Sequence, residues 1–491
     1  MPLCGVPRCR RSAPVAEAAV VAPSAAPGPA PGRRDRGRRF PLAVAAITAA
    51  GLALRLAYIW FVRRNLTYGG DPYYYHASAN LLADGKGFIS PYALALGQHL
   101  QSADHPPLYV VFLAAFSLMG VRTIAGHLIV SGLLGAASIP MAALAGREIA
   151  GRKVGVVAAV LVALYPNIWR YDGMLLSETL VVFLVVVALW LTYRFVNGPS
   201  WPRLAALGVV VGLCALARSE LLLLAPLLVV PLALGSRSVP WASRWRWLGV
   251  AALACFAAVA PWLIFNLARF DHAVLFTDNL GGTLAVANCD RAYYGPNTGY
   301  WDYTCGSDVL DRNGIGPYEP GGRTDRVFRT DALAYIRAHE SRLPVVVAAR
   351  LGRITGTFRP SQQMHLDIFL ENTTDWVAQS GTVSYYLVVA LAVAGGLVLR
   401  RRRRAVYPLL APIVVVLVTT ALFYAATRFR AAAEPSLCLL AAVGLVALWG
   451  WGRAALSGPV RSSVTTEHPE PAPAEGDRPT PASPPPAASA R

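Results

Sequence analysis

The chain has 491 residues, of which 55% are hydrophobic and only 15% are charged, and its mean hydropathy is +0.44. A soluble protein carries about 25% charged residues. This composition excludes an ordinary soluble domain and, with several long apolar runs, predicts a polytopic membrane protein. The net charge of +18 does not indicate nucleic-acid binding, because the arginines cluster beside the apolar runs, as the positive-inside rule describes.

Both ends of the chain differ in composition from its middle. Residues 1–39 are rich in Ala and Pro and end in a basic cluster that runs from Arg33 to Arg39. The apolar stretch that follows is longer than the core of a signal peptide, so we expect an uncleaved anchor behind a disordered, basic, cytoplasmic tail. Residues 456–491 are rich in Pro, Ala, Ser and Glu and are expected to form a second disordered cytoplasmic tail.

Apolar segments that are long enough to cross a membrane recur along the chain. We place about ten spans, near 40–62, 124–146, 153–168, 176–195, 203–217, 220–235, 246–266, 382–399, 405–424 and 434–452. With this number of crossings the basic loops all fall on the cytoplasmic side, and both termini are cytoplasmic. The apolar run that begins at Leu108 is too short for a span, so we expect a helix in the outer interface, with a short tilted span as the alternative.

The first outer loop, 63–123, contains an acidic residue at the membrane surface. Asp71 is followed by Pro72, which suits the first turn of a helix. Apolar residues at helical spacing then predict an amphipathic interfacial helix with Asp71 near its N-cap. From the residues alone, Asp71 is equally well explained as a cap or as a catalytic acid.

Other polar residues are expected on the same outer face. His105 precedes two prolines, whose stiffness fixes its direction, and it fits a contact to phosphate or metal as well as a solvated surface histidine. Asp172 lies in the short outer loop 167–177, and Glu178 lies at the outer end of the next span. Glu178 can orient an acceptor, bind a cation or only favour the helix dipole.

Three arginines occupy the outer face against the positive-inside preference. They are Arg218, Arg428 and Arg430. A guanidinium binds phosphate bidentately, so these side chains suit the phosphate of a lipid-linked molecule. A local ion pair with Glu220 is the alternative for Arg218. Arg55, inside the first span, is expected to snorkel outward.

Two cysteines lie in the long outer loop, 271–381. They are Cys289 and Cys305, and an oxidising outer compartment permits a disulfide between them. The sequence contains no zinc-binding spacing, no phosphate-binding loop with Lys-Ser/Thr and no serine-nucleophile motif.

Several of these segments follow one another in a recognisable order. They are Gly70-Asp71-Pro72-Tyr73-Tyr74-Tyr75, His105-Pro106-Pro107-Leu108-Tyr109 and Leu176-Ser177-Glu178-Thr179-Leu180. Over roughly residues 40–270, and more weakly from Arg428 to Leu440, the chain resembles the GT-C glycosyltransferases of the protein O-mannosyltransferase and aminoarabinose-transferase-like group. The resemblance implies a horizontal helix after His105, Asp71 as the general base and Glu178 as a second acid.

The resemblance has one departure that bears on the acceptor. The O-mannosyltransferases often carry Asp-Glu in the first outer loop, whereas this chain has Asp71-Pro72. The departure weakens the expectation that the acceptor is a protein Ser or Thr. A glycan, a lipid and a protein all remain as acceptor classes.

The expected fold is all-α and polytopic, with about ten transmembrane helices, interfacial helices in the first outer loop and a long extracytoplasmic loop. The expected parts are a tail (1–39), a GT-C-like catalytic module (40–270), an extracytoplasmic loop (271–381), C-terminal transmembrane helices (382–455) and a second tail (456–491).

The expected function is that of a cell-membrane glycosyltransferase. It moves one hexose or pentose from a polyprenyl phosphate to an acceptor hydroxyl on the extracytoplasmic face, with inversion and with Asp71 as the base. The expected donor-phosphate ligands are Arg218, Arg428 and Arg430, and the residues that orient the acceptor or hold a divalent cation are His105, Asp172 and Glu178. No cofactor other than that cation is expected.

Two alternatives to the transferase remain from other functional classes. One is a multi-pass lipid or solute transporter, although ionisable groups are sparse in the middle of the spans. The other is a non-catalytic subunit of a cell-envelope complex, in which Asp71 is only a helix cap.

Overall fold

Long apolar segments form the helices of this protein, because in a membrane each backbone group must find its partner within its own segment. The computed structural model describes residues 32–66, 68–319 and 322–456. In that part of the chain the regular elements are helical, and Ile89 and Gln101 form an isolated antiparallel bridge. The all-α prediction is therefore confirmed.

The α-helices of the described residues follow one another from the N-terminal anchor to the end of the last span. In chain order they are α1 (Gly32–Tyr58), α2 (Gly70–Ala83), α3 (Pro91–Ala95), α4 (Leu108–Leu118), α5 (Ile124–Ala150), α6 (Arg152–Leu164), α7 (Pro166–Trp169), α8 (Glu178–Asn197), α9 (Trp201–Ala217), α10 (Val230–Gly235), α11 (Trp241–Arg269), α12 (Leu280–Ala287), α13 (Asp290–Tyr293), α14 (Tyr303–Asn313), α15 (Arg323–Ala338), α16 (Leu343–Ile354), α17 (Pro360–Leu370), α18 (Asp375–Arg401), α19 (Tyr407–Leu422) and α20 (Glu434–Leu456).

Five helical segments of the described residues are long and apolar enough to cross a membrane. They are Arg39–Arg63, Ile124–Ala150, Glu178–Asn197, Trp241–Arg269 and Asp375–Arg401. A sixth candidate consists of Arg152–Leu164 and Pro166–Gly173, with a bend of 59° between them. The bend falls at Pro166, whose ring cannot continue the hydrogen-bonding pattern of α6.

The other predicted spans form shorter apolar helices. These are Trp201–Ala217, Ser219–Gly235, Tyr407–Leu422 and Glu434–Gly450. The polytopic helical fold is thus confirmed, whereas the number of ten crossings stays a prediction. The segment after His105 forms α4, and its 11 residues agree with the expected short helix.

The predicted tails lie mostly outside the described residues. Residues 1–31 and 457–491 are not among them, whereas 32–39, the end of the predicted first tail, belong to α1. Through Ala447 the described residues pack as one unit. Residues 448–456 are the last turns of α20.

Small residues allow the helices of the membrane region to approach closely. Helix α5 packs on α1, α6 and α8, and α9 packs on α8 and α11. A Cβ atom at Gly395 of α18 would collide with the carbonyl oxygen of Leu440 on α20, and a Cβ at Gly444 would collide with that of Leu391. Such glycines are typical of contacts between membrane helices, where close packing replaces the hydrophobic effect.

The long loop between α11 and α18 is folded into α12 to α17. The disulfide predicted between Cys289 and Cys305 is present and connects the start of α13 to the first turn of α14. Breaks between helices also bring polar segments together: the N-termini of α2 and α8, the end of α9, the end of α17 and the 3₁₀ turn Thr427–Ala432 meet at one place.

Candidate active site

Asp71 lies in the first turn of α2. The helix begins at Gly70, whose φ of +56° is a conformation that glycine adopts without strain, and the N-cap residue is Gly69. Asp71 is therefore close to the cap but is not the cap itself. Its carboxylate faces side chains from distant segments: Oδ1 lies 3.3 Å from Nε2 of His105, and Oδ2 lies 2.7 Å from Nη1 of Arg428.

Arg428 lies at the centre of three carboxylates. Besides the contact to Asp71, its Nε lies 3.5 Å from Oε1 of Glu371 and 4.0 Å from Oε1 of Glu178. In the part of the chain that the structure describes, this buried Nε has no hydrogen-bond partner. Each acid comes from a different element, so one guanidinium joins α2, α8 and the end of the extracytoplasmic loop.

Glu178 connects Arg428 to a second arginine. Arg218, at the break after α9, donates from Nη1 to Oε1 of Glu178 at 2.7 Å and from Nε to Oε1 of Glu220 at 2.6 Å. Its guanidinium also lies 4.5 Å from the ring centre of Phe429. The local ion pair with Glu220 therefore exists, but it is one part of a larger network.

The orientation of His105 is fixed by two tyrosines and by Asp71. Its ring stacks on Tyr75 and meets Tyr74 edge to face, each at 5.0 Å between ring centres. Burial disfavours the imidazolium, but the facing carboxylate of Asp71 outweighs this effect and raises the pKa of His105.

Asp71 and Glu371, which contact different nitrogens of Arg428, differ in their charge state. Burial by itself would raise the pKa of Asp71, but Arg428 and His105 hold that pKa well below its usual range. Burial raises the pKa of Glu371 to about 7, against the opposing effect of Arg428 and with the neighbouring acids adding to the rise. Asp71 is thus ionised at neutral pH, whereas Glu371 titrates there.

Tyrosine side chains lie next to the acid. The hydroxyl of Tyr92 donates to the carbonyl of Gly70 at 2.5 Å, and the ring of Tyr303, at the start of α14, is 65% exposed. After burial, the negative charge of Asp71 is the next cause that raises the pKa of both phenols, so both lie within its field. The disulfide at Cys305 holds the helix that carries Tyr303.

Two predicted site residues belong to other ion pairs. Asp172 faces Arg55, with 2.7 Å between Oδ2 and Nε, and accepts a hydrogen bond of 2.9 Å from the hydroxyl of Thr179. Arg430 donates from Nε to Oε1 of Glu434 at 2.5 Å. Both pairs are separate from the contacts made by Arg428.

The expectation that Arg55 snorkels to the membrane surface is wrong. Its side chain is fully buried, and it also donates to the carbonyls of Gly51, Val162 and Ala163. The break between α6 and α7 places Asp172 within reach, so a buried partner replaces the lipid headgroup.

Glu371 is the site residue that sequence reasoning did not identify. It follows α17 and precedes Asn372, whose φ of +50° turns the chain towards α18. A lone acid in a long polar loop carries no pattern of its own. Its position just before the chain re-enters the apolar region is the one signal that it offers.

The described residues contain no group of three or more His, Cys, Asp or Glu side chains that could hold a metal ion. The cation allowed by the sequence analysis therefore has no preformed site in that part of the chain.

Comparison with known proteins connects this geometry to a family. Residues 104–265 match the family described as dolichyl-phosphate-mannose-protein mannosyltransferase. The archaeal oligosaccharyltransferase AglB from Archaeoglobus fulgidus, in complex with an inhibitory peptide and a dolichol-phosphate, has the same fold, with a TM-score of 0.51 at 16% identity. The family match covers less than half of the chain, so the comparisons show similarity to this family over that segment and a fold shared with AglB.

The coverage of these matches is uneven. The AglB match covers 86% of this chain and 52% of AglB, so the chain spans about half the length of the oligosaccharyltransferase. ArnT from Cupriavidus metallidurans in the apo state matches with a TM-score of 0.36 at 14% identity, over 84% of this chain and 78% of ArnT. No curated protein matches the sequence.

The family match includes only part of the candidate site. His105, Asp172, Glu178 and Arg218 lie within residues 104–265, whereas Asp71, Glu371 and Arg428 lie outside them. The roles of the last three rest on their contacts with one another and with Glu178.

Proposed function

We propose that this protein is a glycosyltransferase of the GT-C type, which transfers a single sugar, with inversion, from a polyprenyl phosphate to an acceptor hydroxyl on the extracytoplasmic face of the cell membrane. The observation that carries the proposal is the contact of 2.7 Å between Asp71 and Arg428. It joins a carboxylate that can accept a proton to a guanidinium that can bind phosphate, at the mouth of a membrane-helix bundle.

The donor phosphate and Asp71 compete for Arg428. Four carboxylates, those of Asp71, Glu178, Glu220 and Glu371, contact the two arginines, Arg218 and Arg428, so acids outnumber guanidinium groups. A phosphate that takes Arg428 releases Asp71 from its strongest partner, and the pKa of Asp71 then rises towards its usual value. Donor binding therefore converts a poor proton acceptor into a useful one.

The chemical step follows from this exchange. The acceptor oxygen attacks C1 of the sugar from the face opposite the lipid phosphate, and its proton passes to the Asp71 carboxylate. The bond between C1 and the phosphate oxygen breaks, and the electron pair leaves with the lipid phosphate. Arg428 and Arg218 stabilise the charge that builds on that phosphate.

The remaining site residues position these groups. His105 holds the second oxygen of Asp71, and Glu178 holds both arginines. We assign Asp172 to the support of α8, because it binds the hydroxyl of Thr179, the residue after Glu178. Arg430 makes no contact with this cluster among the described residues, so we assign the donor phosphate to Arg428 and Arg218.

The acceptor reaches Asp71 from the side of the exposed Tyr303 ring. Tyr92 and Tyr303 lie within the field of the carboxylate, and we assign the hydroxyl-bearing group of a glycan, lipid or protein to their side of Asp71. The topology that we propose keeps both termini in the cytoplasm and this face outside.

The test is transfer by the purified full chain in lipid nanodiscs. Radiolabelled polyprenyl-phosphate hexoses and pentoses are supplied with an envelope extract, and label is followed into the acceptor fraction. We expect transfer by the wild type and a rate about 10²- to 10⁴-fold lower in Asp71→Asn. Asp84→Asn is the matched control, because Asp84 ends the same helix and pairs with Arg122 at 2.6 Å. Equal transfer by wild type and Asp71→Asn contradicts the proposal.

A further inference from the structure

Four polar side chains away from the Asp71 cluster form a closed ring. They are His76 and Asn80 of α2, Ser117 of α4 and His127 of α5. Asn80 Nδ2 lies 3.4 Å from His76 Nε2, and the Nδ1 atoms of the two histidines lie 3.1 Å apart. On the other side of the ring, His127 Nε2 lies 3.0 Å from Ser117 Oγ, which lies 2.9 Å from Asn80 Oδ1.

The direction of the hydrogen bonds follows from one backbone contact. Asn80 Nδ2 lies 3.1 Å from the carbonyl of Arg122, and a carbonyl only accepts, so the amide nitrogen must point that way. The amide oxygen therefore faces Ser117. Because Asn80 Oδ1 has no hydrogen, the hydroxyl of Ser117 donates to it, and the carbonyl of Leu113 lies at a longer 3.3 Å as a second acceptor.

The tautomers of both histidines are then determined. The single hydrogen of Ser117 is used, so Nε2 of His127 carries a proton and donates to Oγ. Nδ1 of the neutral His127 must accept, and Nδ1–H of His76 donates to it. Nε2 of His76 accepts the second N–H of Asn80, which closes the ring.

We propose that this ring positions α2, and through it Asp71, and that one added proton opens the ring. Each of its four members donates one hydrogen bond and accepts one, so an extra proton leaves two donors facing each other. The ring joins α2 to α4 and α5, and Asp71 lies in the first turn of the same α2. His76, Asn80, Ser117 and His127 are positioning residues. Their effect on turnover rests on the proposed function, whereas the ring itself does not.

The surroundings of the ring support a response below neutral pH. The charged side chains beside it are Arg122, which donates from Nε to the carbonyl of Ser117, and Asp84, which pairs with Arg122. The titratable group of α4 is the phenol of Tyr109, bonded to Ser131. Burial lowers the pKa of His76. His127 is fully buried and its ring faces His76, and both conditions disfavour an imidazolium there. Both histidines are therefore neutral at pH 7, and the ring opens only at a pH below the ordinary histidine pKa of about 6.5.

The first test reads the tautomers directly. Full-length protein with ¹⁵N-labelled histidine is examined in nanodiscs by solid-state NMR, and His76→Phe and His127→Phe assign the signals. At pH 7.5 we expect Nδ1–H at His76 and Nε2–H at His127, that is, opposite tautomers. The same tautomer at both residues, or an imidazolium at either, overturns the proposal. The measurement works equally in the Asp71→Asn protein, so it is independent of whether transfer occurs.

The second test separates positioning from general stability. Asn80→Asp replaces a donor by an acceptor of the same shape, so the ring then closes only with one additional proton. We expect an imidazolium at His76 at pH 7 in this variant. A neutral His76 in Asn80→Asp overturns the proposed direction of the ring.

The kinetic consequence is read from Ser117→Ala, which removes one hydroxyl. We expect kcat to fall about 10- to 100-fold with an unchanged KM for the donor, because Asp71 is displaced while Arg428 still binds phosphate. We also expect the loss of activity below pH 6.5 to disappear in this variant, because its ring is already open. A wild-type kcat, or an unchanged acid limb, overturns the role of the ring in positioning Asp71.

Discussion

Arg428 and Arg430 lie two residues apart in the same 3₁₀ turn and have different environments. Arg430 donates to Glu434 at 2.5 Å and to the carbonyl of Ile354 at 3.2 Å, and its guanidinium lies 3.6 Å from the ring centre of Tyr385. Arg428 is 17% exposed, touches three acids at 2.7, 3.5 and 4.0 Å, and leaves Nε without a hydrogen bond among the described residues.

The difference separates a structural cation from one that can change partners. The acid, the carbonyl and the ring around Arg430 together fix the position of its guanidinium. An arginine shared among several acids can release one of them when a phosphate arrives. The predictions below test this contrast, beginning with the largest expected effect.

Asp71→Asn removes the proton acceptor without changing the size of the side chain. We expect transfer to fall by about 10²- to 10⁴-fold, as is typical of the loss of a general base. The measurement is label transfer in nanodiscs at saturating donor. The thermal unfolding midpoint serves as the control and should stay near that of Asp84→Asn.

Substitution of the two arginines should affect different properties, stability for Arg430 and transfer for Arg428. Arg430→Gln leaves Glu434 buried without its partner, and we expect a destabilisation of about 3–5 kcal/mol. Arg428→Gln should be less destabilising, because Asp71 keeps His105 and Glu178 keeps Arg218 as a partner, but it should lose transfer.

Thermal unfolding and label transfer, measured on both variants, give the comparison. The assignment fails if Arg428→Gln unfolds as readily as Arg430→Gln, or if Arg428→Gln transfers sugar at the wild-type rate.

The disulfide should stabilise the region that carries Tyr303. It closes a segment with a sequence separation of 16, and its loss should cost about 3 kcal/mol in the chain-entropy model. Cys289→Ser with Cys305→Ser should lower the unfolding midpoint. We also expect a higher KM for the acceptor and an unchanged KM for the donor. A change in the donor KM alone would contradict the assignment of the Tyr303 region to acceptor binding.

Glu371 should make donor binding depend on pH. Its pKa of about 7 lies above that of a free glutamate, so the folded state binds the extra proton and its stabilising contribution is lost as the pH rises through about 7. Above that pH a further carboxylate competes for Arg428, and the donor KM should rise severalfold. Glu371→Gln should remove the rise. A donor KM that climbs equally in both proteins would assign the effect to another group.

The sequence predicted that the candidate site residues share one membrane face, but it did not predict which of them pair. Apolar run lengths and basic loops placed Asp71, His105, Glu178, Arg218 and Arg428 at the same membrane surface, and in the structure these residues are connected through ion pairs. Charge patterning predicts this common face because topology follows local composition, and the orientation itself stays a prediction.

The pairings that were missed depend on packing. Arg428 and Arg430 are indistinguishable in the sequence, and only the 3₁₀ turn sends one towards Asp71 and the other towards Glu434. Arg55 reaches Asp172 because α6 breaks at Pro166, which composition does not reveal. The short spans were found as helices, but their length leaves the number of crossings as a prediction.

Binding of polyprenyl monophosphate to the purified protein in nanodiscs tests the exchange of Arg428 between Asp71 and phosphate most directly. We predict that Arg428→Gln binds the lipid phosphate more weakly than wild type, and that Asp71→Asn, although impaired in transfer, binds it more tightly, because the competing carboxylate is gone. Weaker binding by Asp71→Asn, or wild-type binding by Arg428→Gln, would contradict the account.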